Sequence, residues 1–143
     1  LYGEFDKFDS IKGHFVGALI EKILTAKKNK KNTIELFGDG TPYRQFMHAK
    51  DVAKIISLMI LKKKFFNMNI ATNENYSIDY IAKIALEACD AQGLLVEYDN
   101  TKPNGQMRKD IEISNMIKYF PEFTAMKLKD GIRDIYRKRM KLK

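Results

Sequence analysis

Apolar residues recur along this chain with two different periods, and the alternation between them predicts the order of its elements. In residues 15–26 they fall three or four positions apart, the spacing that places them on one face of a helix. In residues 33–37 they alternate with polar residues, which is typical of a strand. The same two patterns predict further helices over residues 51–63, 77–90, 114–120 and 128–139, and further strands over 45–48, 67–71 and 94–98.

Capping residues set the predicted ends of several helices. Ser77 and Ser114 have side-chain oxygens that accept hydrogen bonds from the first turn of a helix, so each is a predicted N-cap. Gly93 is expected to end the helix that Ser77 begins, and Pro121 the one that Ser114 begins. Helices that alternate with strands predict an α/β fold with some parallel pairing. Residues 1–143 show no internal repeat and no flexible linker, so they are expected to form one region.

The composition supports a folded region with its own core. The 143 residues are 45% hydrophobic, which suffices for a buried core. No apolar run approaches the roughly 20 residues of a membrane span, so no membrane partner is expected. The single cysteine, Cys89, lies within a helical apolar pattern, which predicts a core thiol and a reducing, cytoplasmic setting. One cysteine and two histidines without ligand spacing predict no metal site.

The net charge of +8 is typical of proteins that bind nucleic acid, but its distribution argues against that partner. Much of the excess lies in three runs, at residues 27–31, 62–64 and 137–143, each at the end of a helical pattern. Cations at helix C-termini interact favourably with the helix dipole. These runs therefore predict solvated faces, and no nucleic-acid partner is expected.

Two loops have the residue types that bind anions. Residues 37–44 combine two glycines, an aspartate and a Thr-Pro pair with Arg44. This combination predicts a tight turn that presents backbone N–H groups and a fixed cation. Residues 101–109 repeat these ingredients, with Lys102 ahead of a Pro-Asn-Gly turn. Two basic loops in one small chain predict that a phosphorylated ligand is held from two sides.

Four stretches resemble motifs of one enzyme family, and together they span nearly the whole chain. They are Leu1-Tyr2-Gly3, residues 13–20 (Gly-His-Phe-Val-Gly-Ala-Leu-Ile), residues 37–53 from Phe-Gly-Asp-Gly-Thr-Pro-Tyr-Arg onward, and residues 101–109 (Thr-Lys-Pro-Asn-Gly-Gln-Met-Arg-Lys). The family is that of the extended short-chain dehydrogenases/reductases, the NAD(P)-dependent sugar-nucleotide epimerases and dehydratases. The resemblance implies the fold of their C-terminal substrate-binding region, including late elements of the Rossmann sheet, without the N-terminal Rossmann core.

The Lys-Pro-Asn-Gly loop and His14 are the narrower part of the resemblance, and they favour the branch of GDP-L-fucose synthases. That branch implies a GDP-4-keto-6-deoxy-sugar 3,5-epimerase/4-reductase, whose ligand is a nucleotide-diphosphate sugar. Departures from the motif at Gly17, Phe37, Gln45 and residues 49–50 leave the sugar open, and another GDP-linked 4-keto sugar such as a heptose is an alternative. Another sugar-nucleotide 4-epimerase or 4,6-dehydratase remains a second alternative. A non-catalytic anion- or nucleotide-binding module remains a third.

The residues that carry out hydride transfer in this family do not occur here. The sequence has no Gly-rich dinucleotide turn. Tyr98 and Lys102 have the Tyr-x-x-x-Lys spacing, but Pro103 disfavours helix at Lys102, so the two are not expected to share a helical face. The resemblance implies that both features lie upstream of Leu1 and that this missing part binds most of the NADP. Residues 67–90 would complete its Rossmann layer, the complete enzyme would be a homodimer, and the chain alone would be inactive.

The resemblance also assigns candidate site residues. His14 would be the acid that protonates a sugar ring carbon during epimerisation next to the keto group, a task suited to an imidazole. Arg44 and Lys22 would hold the diphosphate, with Lys102 adding charge. The alternatives are structural: His14 would simply open a helix, and Lys22 would be a solvated lysine.

Structural roles are expected for several neighbours of these residues. Arg108 is expected to form an ion pair, and His48 and Asp51 to stabilise the start of the helix that follows them. Three aromatic residues lie close to Arg44 in the sequence, namely Phe37, Tyr43 and Phe46. Two of the three are expected in the core, which leaves one to stack on a base or a sugar.

Overall fold

A computed structural model describes residues 1–141 of the chain. Its helices are α1 (Phe15–Lys28), α2 (Ala49–Leu61), α3 (Ile78–Ala88), α4 (Ser114–Tyr119) and α5 (Leu128–Lys141). Its strands are β1 (Thr33–Phe37), β2 (Tyr43–Arg44), β3 (Tyr76–Ser77) and β4 (Leu95–Asp99). The predicted α/β class is confirmed, as are the five predicted helices. Residues 142 and 143, which end the third basic run, lie outside the described residues.

Two short sheets bring distant segments together. Strands β1 and β4 are parallel, with Thr33 opposite Leu95 and Phe37 opposite Asp99. The carboxyl ends of both strands therefore lie at the same edge, and the two basic loops begin side by side. Strands β2 and β3 form an antiparallel pair of two residues each.

The larger core lies between the β1–β4 sheet and helices α1, α3 and α5. Its fully buried residues include Ile20, Ile23, Ile81, Ile132 and Cys89. Burying each isoleucine contributes about 1.5–3 kcal/mol to the free energy of unfolding. The prediction of a core thiol is confirmed, because Cys89 is buried, and this burial raises the pKa of its thiol to about 12. This packing fixes α1, and with it the residues at the N-terminal end of that helix.

A smaller core joins α2 to α4. Its buried residues are Met47, Ile55, Ala71, Ile113, Met116 and Phe120. The rings of Phe66 and Tyr119 stack beside it with their centroids 3.7 Å apart. The opposite side of α2 is not covered within residues 1–141, because Ile60 and Leu61 are 59% and 79% exposed. Helix α2 thus presents an apolar strip to solvent.

The prediction of a strand over residues 45–48 is wrong. Only Tyr43 and Arg44, just before it, pair with another strand, β3. Two side chains of the predicted strand make other contacts instead. The Gln45 amide donates to the Thr72 carbonyl at 2.9 Å, and His48 is the N-cap of α2. An isolated bridge between Tyr2 and His48 is the β pairing that remains there.

Residues 67–71 are also not a strand in this structure. No strand in the described part of the chain pairs with them, and the Asn67 and Asn69 side chains are exposed. The segment is held instead by side chains, because Asn69 donates to the Glu112 carbonyl at 2.9 Å and Asn115 donates to the Asn67 carbonyl. A strand needs a neighbour for its ladder of hydrogen bonds, and this apolar pattern has none here.

Helix ends agree with the capping predictions in part. Ser77 is the N-cap of α3, since its hydroxyl oxygen accepts from the Tyr80 N–H at 3.1 Å. The prediction for Gly93 is wrong, because the chain leaves α3 through Asp90, which adopts φ of 49°. The prediction for Ser114 is wrong too: Ser114 is the first residue of α4, and its hydroxyl donates to the Glu112 carboxylate.

Residues 1–141 contain neither a candidate membrane span nor a candidate metal site. None of the helices in this range has the length and apolar character needed to cross a bilayer. Within the same range, no three metal-ligating side chains of the His, Cys, Asp or Glu type lie close enough together to hold an ion.

Candidate functional site

The two basic loops that follow β1 and β4 bind each other. The Gly38 N–H donates to the Asp99 carbonyl at 3.1 Å, and the Tyr43 N–H donates to the Met107 carbonyl at 2.8 Å. Between these contacts, the Asp39 N–H donates to Oδ1 of Asn104 at 2.8 Å. The loops are therefore a single interlocked unit, which we call the loop pair (residues 38–44 and 99–108).

Glycine is required where the loop pair is tightest. Gly38 has φ of 77°, and a Cβ placed there would lie 2.1 Å from Oδ1 of Asn104. The Thr41 N–H is also occupied, because it donates to the Asp39 carboxylate at 2.9 Å. The N–H groups of Gly38, Asp39, Thr41 and Tyr43 are therefore not available for the predicted anion cradle. These donors are used inside the protein to close the turn.

Arg44 leaves the loop pair and lines a cleft of about 400 Å³, here called the Arg44 cleft. Its Nη1 donates to the Tyr43 carbonyl at 2.7 Å, which directs the guanidinium. No carboxylate lies within 4.0 Å of it among the described residues. Lys22 and Asn104 line the same cleft. A guanidinium with remaining N–H donors and an ammonium on one cleft suit a bound phosphate group.

Lys22 is more constrained than a solvated lysine. Its Nζ donates to the Glu35 carbonyl at 2.6 Å and lies 5.2 Å from the centroid of the Phe37 ring. Burial lowers the pKa of Lys22, although the nearby Glu35 partly opposes that effect. The ammonium therefore already has two partners in the protein. It adds positive potential to the Arg44 cleft, while Arg44 has more free donors.

His14 lines a second cleft, which adjoins the Arg44 cleft. It occupies the N-cap position of α1, where its side chain makes no capping hydrogen bond. Its Nδ1 lies 2.8 Å from Oδ1 of Asp6, and the imidazole is 81% exposed while the Asp6 side chain is 8% exposed. A carboxylate at that distance orients the ring and leaves Nε2 for a ligand. The cleft that His14 lines has a volume of about 700 Å³ and is here called the His14 cleft.

Two aromatic rings connect the clefts. Phe15 and Phe46 line both the His14 cleft and the Arg44 cleft. Their centroids are 5.7 Å apart with an interplanar angle of 33°. A ligand that contacts Arg44 at one end and His14 at the other would cross these rings. The apolar faces of sugars pack on aromatic rings of this kind.

A third cleft adjoins the Arg44 cleft. It has a volume of about 380 Å³ and is called the Glu35 cleft, with Lys31, Thr33 and Glu35 on its walls. Lys22 and Phe37 line both this cleft and the Arg44 cleft. Each cleft thus shares lining residues with the next, and the three together are here called the groove.

Lys102 is the one predicted site residue that lies outside this groove. It is exposed on the loop that follows β4, and it lines none of the three clefts. His14, Arg44 and Lys22 do line the groove. Their roles and that of Lys102 remain predictions.

Sequence patterns did not single out two residues that shape the groove. Asp6, which orients His14, belongs to an Asp-containing loop after Leu1-Tyr2-Gly3, and that loop was its only signal. Asn104 connects the loop pair and lines the Arg44 cleft. The Pro-Asn-Gly turn marked its position but not its contacts.

The expected structural roles are largely confirmed. The Arg108 Nε lies 2.6 Å from Oδ2 of Asp110, so the predicted ion pair exists. At the start of α2, the His48 Nδ1 accepts from the Lys50 N–H at 3.1 Å, and Asp51 lies in the first turn.

The expectation for the aromatic residues near Arg44 is wrong, because two of them are exposed. Phe37 is 53% exposed, Tyr43 is 42% exposed and Phe46 is partly buried. Phe37 points away from the core because it alternates with Leu36, which faces inward on β1. The groove therefore has more aromatic surface than the sequence suggested.

Tyr98 and Lys102 do not form a catalytic pair. Tyr98 lies on β4, and its hydroxyl donates to Oδ1 of Asp79 at 3.0 Å. Burial raises the pKa of that hydroxyl, with a further contribution from Asp79. Lys102 follows in a loop, so the two side chains share no helical face.

Known proteins resemble this chain in sequence and in fold. GDP-L-colitose synthase of Yersinia pseudotuberculosis is 35% identical over 134 residues, which cover 92% of this chain and 43% of that protein. GDP-L-fucose synthase of Azorhizobium caulinodans is 32% identical over 140 residues, which cover 95% of this chain and 44% of that protein. A crystal structure of a GDP-L-fucose synthetase from Naegleria fowleri bound to NADP superposes with a TM-score of 0.85 at 24% identity, covering 98% of this chain and 44% of that one.

The chain spans about two fifths of the length of these relatives and matches their C-terminal part. Its fold is thus that of the C-terminal region of the extended short-chain dehydrogenases/reductases. The pattern that defines the NAD dependent epimerase/dehydratase family matches residues 1–73. The chain belongs to that family.

Proposed function

We propose that this chain is the sugar-nucleotide-binding part of a GDP-4-keto-6-deoxy-sugar 3,5-epimerase/4-reductase. One observation carries the proposal. An exposed imidazole held by a carboxylate and a guanidinium without a carboxylate partner in residues 1–141 line neighbouring clefts that share two aromatic rings. A nucleotide-diphosphate sugar needs these groups in this order, because its phosphates are anionic and its reacting carbons lie in the sugar. The sequence similarity to GDP-L-colitose and GDP-L-fucose synthases supports the GDP-linked substrate.

His14 is the proton donor in this proposal. Epimerisation beside a keto group begins when a base removes the proton from the ring carbon, which leaves an enolate. The protonated imidazole of His14 then gives a proton to the same carbon from the opposite face, so that its configuration is inverted. Asp6 acts as a positioning residue, because its contact with Nδ1 holds the ring and stabilises the positive charge. The base lies outside this chain.

Arg44 is the principal diphosphate ligand, with Lys22 beside it and Lys102 adding charge from its loop. Each charge-assisted hydrogen bond contributes about 1.5–3 kcal/mol to binding. Arg44 contributes most because no carboxylate of residues 1–141 pairs with its donors, whereas Lys22 is already bonded to the Glu35 carbonyl.

NADP is the proposed cofactor of the complete enzyme, and the NADP-bound Naegleria structure supports it. Within residues 1–141, the glycine-containing loop does not fit a dinucleotide, since the N–H groups of Gly38, Asp39 and Thr41 are bonded to the protein. Residues 67–90 complete the cofactor-binding layer in this proposal. The unpaired segment 67–71 and the exposed apolar strip of α2 are surfaces that the remainder of such a layer would cover.

The complete enzyme is proposed to be cytoplasmic and homodimeric, with no nucleic-acid partner. The reduced, buried Cys89 suits a cytoplasmic setting. Analytical ultracentrifugation of the complete enzyme tests the dimer, and a monomer at micromolar concentration would contradict it.

Two other functions remain to be separated from this one. A 4-epimerase or 4,6-dehydratase of the same family needs no acid at His14, so His14→Gln would leave its turnover unchanged. A non-catalytic anion-binding module would bind GDP, UDP and single-stranded oligonucleotides with similar, steeply salt-dependent affinities.

Calorimetric titration of the 143-residue chain with GDP and with a short oligonucleotide tests the proposed function. We expect saturable binding of GDP, about 10- to 100-fold weaker binding in Arg44→Gln, and no change in Lys28→Gln, an exposed lysine of the same chain. Binding of the oligonucleotide alone would refute the proposal. Hydride transfer catalysed by the isolated chain would also contradict it.

A further inference from the structure

The outward face of β1 forms one wall of the Glu35 cleft. Thr33, Glu35 and Phe37 alternate with the buried Ile34 and Leu36, so their side chains share that face. Adjacent positions on one face of a strand are about 6.6 Å apart. A hydroxyl, a carboxylate and an exposed aromatic ring therefore stand in a row along the cleft.

No other side chain of residues 1–141 binds the Glu35 carboxylate directly, although the carboxylate lies near enough to the Lys22 ammonium to raise the pKa of that lysine against the effect of burial. The carboxylate forms no ion pair within 4.0 Å and no side-chain hydrogen bond, although Lys22 binds the carbonyl oxygen of the same residue. Lys31 lines the same cleft, and its ammonium is likewise unpaired within residues 1–141. An acceptor and a donor thus face one cavity without neutralising each other.

The hydrogen-bonding groups that line this cleft match one nucleobase. We propose that Glu35 is the residue that selects guanine, an inference that rests on the proposed function of the groove. The guanine ring lies on the Phe37 side chain, which is 53% exposed. Its N1–H and N2 amino group donate to the two carboxylate oxygens of Glu35, and the Lys31 ammonium donates to O6. The diphosphate then lies towards Arg44, because the two clefts meet at Phe37.

Other bases leave groups of this cleft unpaired. Uracil offers a single N3–H to the carboxylate, and the Watson–Crick edge of adenine presents an acceptor at N1, which the carboxylate repels. Hypoxanthine has N1–H and O6 but lacks the N2 amino group. A site built to accept hydrogen bonds discriminates strongly against ligands that lack the donors, because its polar groups lose their water without a replacement.

Calorimetric titration of the 143-residue chain with GDP, IDP and UDP tests this inference. In the wild-type chain we expect GDP to bind at least about tenfold more tightly than UDP, with IDP between them. Glu35→Gln should weaken GDP binding about 10- to 100-fold, because the amide offers one acceptor instead of two, and should change UDP binding less than about twofold.

The control is Glu122→Gln. Glu122 is exposed, follows α4 and lines none of the three clefts, so the same change of charge is made away from the groove. We expect its ratio of GDP to UDP affinity to equal that of the wild type. Equal affinities for GDP and UDP in the wild type, or an unchanged ratio in Glu35→Gln, would overturn the role of Glu35 and leave the proposed function standing. Failure of the wild-type chain to bind any of the three nucleotides would overturn both.

Discussion

The loop pair and the groove beside it use the same kinds of residue in opposite ways. In the loop pair, backbone N–H groups, Asp39 and Asn104 satisfy one another, and glycine lets the two loops approach closely. In the groove, the groups that matter keep capacity for a ligand: the His14 ring and the Arg44 guanidinium. The loop pair is thus largely structural. The chemistry proposed for this chain belongs to side chains next to the loop pair and at its end.

The largest expected effect concerns the groove alone. In the complete enzyme, His14→Gln should lower the rate of solvent deuterium incorporation at the epimerised ring carbon about 10²- to 10⁴-fold, the usual contribution of a general acid. Because the imidazole is 81% exposed, the melting temperature should not change.

Asp6→Asn sharpens this prediction. The amide keeps a contact to Nδ1 but removes the charge, so the exchange rate should fall less than in His14→Gln. A His14→Gln enzyme that exchanges deuterium at the wild-type rate would remove His14 from the mechanism.

The next effect concerns the loop pair. Gly38→Ala should lower the free energy of unfolding by about 3 kcal/mol, from positive-φ strain, a clash with Asn104 and the loss of the Asp39 hydrogen bond. Urea denaturation of the 143-residue chain measures it. Gly93→Ala is the matched control, because nothing lies within 4 Å of its added Cβ. If both variants unfold at the same urea concentration, the interlocked loops do not support the fold.

A smaller effect separates the two cations of the groove. Arg44→Gln should weaken GDP binding about 10- to 100-fold, and Lys22→Met less, because the Lys22 ammonium is already bonded to a carbonyl. Titration calorimetry at one salt concentration compares them. A greater loss in Lys22→Met would reverse the assignment of the principal phosphate ligand.

The smallest expected effect is on the pH dependence of stability, and it concerns His48, the N-cap of α2. Burial lowers the pKa of His48, with Asp51 and Asp134 opposing and Lys50 and Lys138 assisting. The unfolded chain then binds the proton more readily, so stability should fall as pH decreases through the ordinary histidine value near 6.5. His48→Asn keeps a capping acceptor and should flatten the dependence of the urea midpoint on pH between about 7.5 and 5.5. An equally steep dependence in the variant would assign that slope to other groups.

Local periodicity predicted the helices and the strands β1 and β4 because those elements bury one regular face within this chain. It failed for residues 67–71, whose apolar pattern needs a strand neighbour that residues 1–141 do not supply. It failed for Gly93 as well, because Asp90 adopts the left-handed conformation first.

The candidate site, like the fold, was only partly predictable from the sequence. Residue type and the family resemblance pointed to His14, Arg44 and Lys22. Neither indicated that the loop N–H groups are occupied, that Asp6 orients His14, or that Phe37 is exposed, since each depends on contacts between segments distant in sequence.

The most direct test of the groove follows the backbone amide signals of the ¹⁵N-labelled chain by nuclear magnetic resonance during titration with GDP. We expect saturable shifts at residues 35–37 and at Arg44, and none in α4, which lies on the smaller core. Signals that stay in place at millimolar GDP would contradict the account. So would shifts confined to the lysine runs 27–31 and 62–64 on addition of an oligonucleotide.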